Sequence, residues 1–228
     1  MPTVVIGCGR SGTNMVLEIL RGSHVYEASE PPENKTLCND NIVYPNNYLT
    51  KCDTCYFNFE EFCYMMDNNP EMIIIWTIRD ARDMIMSKMR RGAPKDLGGD
   101  CSDWADDSTS DGAIKDMEKM MALFKAAKDK YPNRVCFFKM EAFILDTYYA
   151  IKRLCKYIGI EYHTSMPHFA NRMRLKTKRE RYKGIDQSQV KLWTRWKVEY
   201  DGWLVKRNYD MDTVFKQVQH INEFFGYK

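Results

Sequence analysis

Arg10 stands inside a glycine-spaced turn, Gly7-Cys8-Gly9-Arg10-Ser11-Gly12-Thr13-Asn14, between the apolar run Val4-Val5-Ile6 and the helical pattern Met15, Val16, Ile19, Leu20. A strand, a turn and a helix N-terminus in that order make an anion site, because backbone N–H groups and the positive end of the helix dipole converge there. The spacing from Gly7 to Gly12 imitates the triphosphate loop G-x-x-x-x-G-K-[ST]. Here Thr13 stands at the lysine position and Asn14 at the magnesium-binding hydroxyl position. The turn can cradle a phosphate, but it lacks the lysine and the metal ligand of ATP chemistry. A second candidate follows Met72-Ile73-Ile74-Ile75-Trp76-Thr77-Ile78, a continuous apolar run that reads as a buried parallel strand. Arg79 closes that strand, and Ser87 falls two turns into the helix that starts there. A guanidinium fork and a neutral hydroxyl so placed can converge on one phosphate.

These two stretches carry a family resemblance. Arg10-Ser11-Gly12-Thr13 after a strand resembles the 5′-phosphosulfate loop of sulfotransferases that use 3′-phosphoadenosine-5′-phosphosulfate (PAPS) as donor. Arg79-Asp80-Ala81-Arg82-Asp83 through Ser87 is similar to that family's 3′-phosphate motif, R-[DN]-x-[RK]-D-x-x-x-S, with Ala81 in place of the usual proline. Thr50-Lys51-Cys52-Asp53 looks like the K-x-P segment. Phe138 to Phe143, followed by Ile151 to Ile160, is similar to the "YEDL … LCxFLGL" segment, with Met140 where Tyr is usual. Phe224-Phe225-Gly226-Tyr227 resembles the closing "LGY" of the tyrosylprotein and carbohydrate-type members.

The resemblance spans nearly the whole chain. It implies an α/β, P-loop-containing nucleotide-hydrolase-like three-layer fold, with a mainly parallel central sheet and helices on both faces. It also implies transfer of a sulfuryl group to an acceptor hydroxyl of a sugar, a tyrosine or a small metabolite. Gly9, Arg10, Ser11, Gly12, Thr13 and Asn14 would hold the 5′-phosphate, and Arg79, Ser87 and Lys183 the 3′-phosphate. Arg10 and Lys51 would stabilise charge in the transition state, with no metal expected. The base would be a carboxylate after the first helix. Glu30, before Pro31, matches the family's turn, with Glu27 and His24 as alternatives. Two other readings compete: a P-loop small-molecule kinase, against which Thr13, Asn14 and the Arg79–Ser87 pair count, and a catalytically silent nucleotide-binding relative.

The elements that must position these residues follow from periodicity. Apolar runs predict strands near 3–7, 24–27, 48–51, 72–78 and 134–139. Amphipathic spacing predicts helices near 13–21, 56–67, 82–91, 113–130, 145–158, 187–198 and 212–224. A length of 228 residues with 44% hydrophobic content suits one domain, 1–228, whose C-terminal helical part from about 185 packs on the same core. No apolar run reaches the roughly 20 residues of a membrane span, and no secretory signal is evident, so a soluble, cytoplasmic protein is expected.

A net charge of +3 is near balance and does not by itself suggest a nucleic-acid binder, so no nucleic-acid partner is expected. Eight cysteines without an export signal read as free thiols. Cys38, Cys52, Cys55 and Cys63 offer a metal alternative, but a lone C-x-x-C is weak against the preference of free Cys for burial. Residues 92–112 form an acidic stretch around Trp104, either a solvated loop or a cover for the acceptor. Residues 171–184 are basic, either a solvated charge run or a segment closing over the 3′-phosphate through Lys183. Nothing in the sequence selects an oligomeric state.

Overall fold

The computed structural model describes residues 1–34, 37–38, 43–91, 110–169 and 211–227. Among them five strands, β1 (Thr3–Gly7), β2 (Glu27–Glu33), β3 (Tyr48–Asp53), β4 (Ile73–Ile78) and β5 (Val135–Lys139), form one sheet of order β2-β3-β1-β4-β5. Every pairing is parallel. The helices are α1 (Thr13–Arg21), α2 (Phe59–Asn68), α3 (Ala81–Arg91), α4 (Ser110–Lys130), α5 (Met140–Leu145), α6 (Thr147–Ile158), α7 (Met211–Gln217) and α8 (Gln219–Phe224). This is the three-layer, P-loop-like α/β arrangement that the resemblance implied.

Parallel strands need crossover helices, which cover both faces of the sheet. β1 and β4 are accordingly buried along their whole length and read as unbroken apolar runs. Val5, Leu49, Ile73 and Ile75 face α1, α5 and α6. Val4, Ile6, Ile74 and Trp76 face the other layer, built from α2, α3, α4 and the C-terminal helices α7 and α8. The Trp76 ring packs edge-on to Phe62 and Phe124, with centroids 6.1 and 5.6 Å away. Val214, Val218, Ile221 and Phe225 bring the described C-terminal residues into that same core.

Several boundaries differ from the sequence expectation, each for a local reason. The strand expected at 24–27 begins only at Glu27 and runs to Glu33. Ser23 Oγ donates to the Leu20 carbonyl and accepts the Val25 N–H, and His24 takes a left-handed backbone (φ 59°), so the chain is still turning there. Among the described residues β2 pairs only with β3, and an edge strand tolerates Pro31 and Pro32. The helix expected from 56 begins at Phe59, because Asn58 and Glu61 form a reciprocal capping box and a 3₁₀ turn, Thr54–Tyr56, precedes it. The helix expected from 145 begins at Thr147, with Asp146 as its cap, and α5 comes before it. The last helix breaks at Val218 into α7 and α8. The helix expected at 187–198 lies outside the described residues.

Gly7 ends β1 where the chain comes closest to β4. A Cβ there would lie 2.2 Å from Ser11 Oγ, 2.5 Å from Thr77 Oγ1 and 2.8 Å from the Thr77 carbonyl oxygen. Replacing a strand glycine with alanine ordinarily gains roughly 0.5–1 kcal/mol, whereas overpacking costs about 1–3 kcal/mol. The crowding includes backbone, so overpacking wins. Gly7→Ala is expected to lose about 1–3 kcal/mol in urea unfolding, and an unchanged or raised midpoint would show that the turn yields freely.

Candidate active site

β1 lies between β3 and β4; the crossover through α1 runs from β1 outward to the far strand β2, and the one through α2 runs the other way, from β3 past β1 to β4. A reversal of this kind opens a crevice at the carboxyl ends of the strands, where open α/β sheets bind ligands. The turn from Cys8 to Gly12 occupies that crevice. The Ser11 N–H donates to the Cys8 carbonyl at 3.1 Å, and Gly12 caps α1 in a left-handed conformation (φ 101°). Met140, at the position where the family usually has Tyr, packs its side chain over Gly12, leaving 3.0–3.3 Å for any added Cβ. Arg10 is also left-handed (φ 74°), an uncommon state for a non-glycine residue and one that tends to mark functional turns. The opening turn of α1, from Thr13, directs backbone N–H groups that no intrahelical carbonyl accepts.

Two hydroxyls tie this turn to β4. Thr77 Oγ1 donates to the Ile6 carbonyl at 3.2 Å and lies 2.9 Å from Ser11 Oγ. Thr77 has one hydroxyl hydrogen, committed to Ile6, so Ser11 is the donor between the two. The Ser11 hydroxyl hydrogen therefore serves the loop itself. Arg10 completes the link, its Nε donating to Ser87 Oγ at 2.8 Å across 77 positions of sequence. The two motifs meet through this bond.

Arg79 leaves the end of β4 only 7% exposed. One guanidinium nitrogen lies 3.4 Å from Asp83, while its buried Nε has no hydrogen-bond partner among the described residues. A buried, unmatched guanidinium donor is costly and calls for a partner. Farther along α3, the fully buried Lys88 pairs with Asp116 at 2.6 Å, joining α3 to α4 just after Ser87.

A model of the sulfotransferase family matches residues 23–164, a span that holds Lys51, Arg79 and Ser87. The chain belongs to the sulfotransferase family. The loop at Gly7 to Asn14 lies before the matched span, and the fold brings it beside Arg79. Solved sulfotransferases share the fold. The sulfotransferase domain from the curacin biosynthetic pathway superposes with a TM-score of 0.60 at 11% identity, over 100% of this chain and 99% of that one. Mouse sulfotransferase SULT7A1, complexed with PAP, gives 0.55 at 13%, over 95% and 88%. Retinol dehydratase, in complex with androsterone and the inactive cofactor PAP, gives 0.53 at 12%, over 97% and 80%. No curated protein sequence matches the chain.

The other expected site residues of this sulfotransferase fall in three places. Lys51 is buried on β3 in register with Val5 of β1, near the loop. Glu27 and Glu30 lie on β2, two strands from β1. Glu27 pairs with Tyr48, and Glu30 falls in the irregular stretch between the Ala28 and Glu33 pairings. His24 lies beyond the C-terminal end of α1, away from the loop. Its ring meets His163 edge-on at 4.7 Å and its Nε2 lies 3.3 Å from Ser165 Oγ. Lys183, the acidic stretch from 92 to 109 and the basic residues 171–184 lie outside the described residues.

Asp53 is the carboxylate that sequence reasoning missed. It ends β3 in register with Gly7, is 6% exposed, and its Oδ1 accepts the Cys55 N–H at 3.3 Å. The signal was present: two residues after Lys51 on a strand, it shares that side chain's face. The cysteines of the metal alternative are free thiols, with Cys38 Sγ 3.8 Å from Met65 Sδ. Burial above all pushes the Cys38 and Cys55 thiols up to about 12. Among the described residues no three His, Cys, Asp or Glu side chains gather in a metal-binding group, and no helix is long and apolar enough to cross a membrane.

Asp80, next to Arg79, is held in a tight net. Burial pushes its carboxyl up, but hydrogen bonds from the Arg82 side chain, Asn222 and the Arg82 N–H, with the Arg82 charge, outweigh burial and hold it below the ordinary value. A folded pKa below the unfolded one stabilises fully above about 3.9, and that contribution is lost as pH falls through the folded value. Asp80→Asn is therefore expected to have a lower urea midpoint than wild type at neutral pH, with the gap closing as pH falls below the ordinary carboxylate range and through the folded value. A gap of constant size across that range would contradict the assignment.

Proposed function

We propose that this sulfotransferase takes PAPS as donor and sulfates a hydroxyl on a sugar, a tyrosine or a small metabolite. The observation that carries the donor reading is the buried Nε of Arg79, unmatched among the described residues, two positions beyond the Thr77 that anchors the loop. Two anion sites held at a fixed separation suit a nucleotide with phosphates at both ends of its ribose. The PAP named with mouse SULT7A1 and with retinol dehydratase is such a nucleotide.

PAPS supplies the sulfuryl group, and every other part of the chemistry falls to the chain. Backbone N–H groups of Gly9, Gly12, Thr13 and Asn14 hold the 5′-phosphate, with Ser11 keeping the turn in shape. Arg79, Ser87 and Lys183 hold the 3′-phosphate. Arg10 and Lys51 place positive charge where the leaving oxygen gains negative charge, an electrostatic role that fixed groups in a dry crevice perform well. With these cations and the dipole of α1 in place, the reaction is written without a bridging metal. A carboxylate takes the acceptor proton. Glu30 holds that role by its family turn and Asp53 by its place at the mouth of the loop.

Calorimetric titration with PAP, run beside ADP and beside ATP with magnesium, tests the donor. Tight, metal-independent binding of PAP is expected, weakened about ten- to a hundredfold in Arg79→Ala, as loss of a charged hydrogen-bonding group implies. Preference for ATP with magnesium would replace this reading with the kinase. Turnover of Glu30→Gln and Asp53→Asn then identifies the base. A general base contributes about 10²–10⁴-fold, so one variant is expected to lose that much, and near-normal rates in both would remove the carboxylate base.

A further inference from the structure

The N-terminus of α3, unlike that of α1, is closed off by side chains of α5 and α8. Asp80 and Ala81 follow Arg79 directly, and both of their N–H groups are taken by side chains. The Asp80 N–H donates to Glu141 Oε1 at 2.9 Å, and the Ala81 N–H to Asn222 Oδ1 at 2.7 Å. The Asn222 amide turns its other end on the same residue pair, Nδ2 donating to Asp80 Oδ1 at 3.0 Å. Tyr227 hydroxyl donates to Glu141 Oε2 at 2.7 Å. Tyr227 is itself folded back, its N–H on the Asn222 carbonyl at 2.8 Å through a left-handed Gly226 (φ 69°). Lys139 Nζ holds the turn from outside, donating to the Gly226 carbonyl at 2.8 Å and lying 4.0 Å from the centre of the Tyr227 ring.

We infer that Asn222 and Tyr227 are positioning residues for the 3′-phosphate subsite, a latch that fixes the peptide units after Arg79 and so aims its guanidinium. The inference rests on the proposed reading of Arg79 as the 3′-phosphate residue. Three physical points support it. Asn222 is 5% exposed and satisfies two groups of one turn with opposite ends of one amide, a geometry its isosteres cannot reproduce. Burial, then the Glu141 carboxylate, pushes the Tyr227 phenol up, so it stays a donor at any working pH. With its first N–H groups taken, α3 offers the ligand Arg79 and Ser87 rather than its own backbone. These bonds, between residues 61 to 142 positions apart, tie the turn to α5 and α8.

The test compares two nucleotides that differ in the 3′-phosphate, PAP and adenosine 5′-monophosphate, by calorimetry on the full chain. Wild type is expected to prefer PAP. Asn222→Asp keeps the acceptor for Ala81 but sets a carboxylate against Asp80, while Tyr227→Phe keeps the ring and removes the donor. Each is expected to weaken PAP about tenfold and to change the monophosphate less than about twofold. Equal losses for both nucleotides would mark a general fold lesion and overturn the latch, as would unchanged PAP affinity in both variants. A wild type that binds both nucleotides alike would overturn the underlying reading of Arg79 instead.

Discussion

The approach of Gly7 to Thr77 is the constraint on which the site depends. Without a side chain at Gly7, Ser11 reaches Thr77, and Thr77 reaches back to the Ile6 carbonyl. One short chain of hydroxyls thus fixes the loop after β1 relative to the strand that carries Arg79. Parallel pairing sets the rest. Ile6 lies in register with Cys52 on one side and Trp76 on the other, so the ends of three strands arrive at one crevice. Catalytic machinery of this kind needs positions held to fractions of an ångström, and rigid strand ends supply that better than loops do.

The two helix N-termini in the crevice have been given different tasks. α1 begins at a left-handed glycine with no side-chain cap, which keeps its dipole and N–H groups directed at the crevice. α3 is stitched to Glu141 and Asn222 at its first peptide units. On the proposed reading, one anion is met mainly by backbone and the other by a guanidinium and a hydroxyl. Arg10 spans both, rooted in the first turn and bonded to Ser87 in the second helix. Buried Lys88 pairs with the partly exposed Asp116 and so ties that helix to α4.

Much of this was legible in the sequence because it is local. Strand cores such as Ile73 to Ile78 declare themselves by unbroken apolar character, and the glycine spacing with the Arg79–Ser87 interval points to the proposed anion sites. What escaped is of two kinds. Turn chemistry moved the boundaries: Ser23 delays β2, and the Asn58–Glu61 box delays α2. α5 follows β5 at Lys139 with no side-chain cap and no glycine or proline to announce it. The second kind is long-range. The bonds from Arg10 to Ser87 and from Asn222 to Asp80 join segments that no periodicity relates. The carboxyl-end position of Asp53 emerged only with the register of β3 on β1.

The measurement that tests the central claim most directly is a crystal structure of the chain with PAP. The account predicts the 5′-phosphate against the backbone of Gly9 to Asn14 and the 3′-phosphate on Arg79 and Ser87. It also predicts that the Ser11–Thr77 bond and the latch on α3 stay in place. A 3′-phosphate seated away from Arg79, or a loop that must release Thr77 to admit the nucleotide, would contradict it.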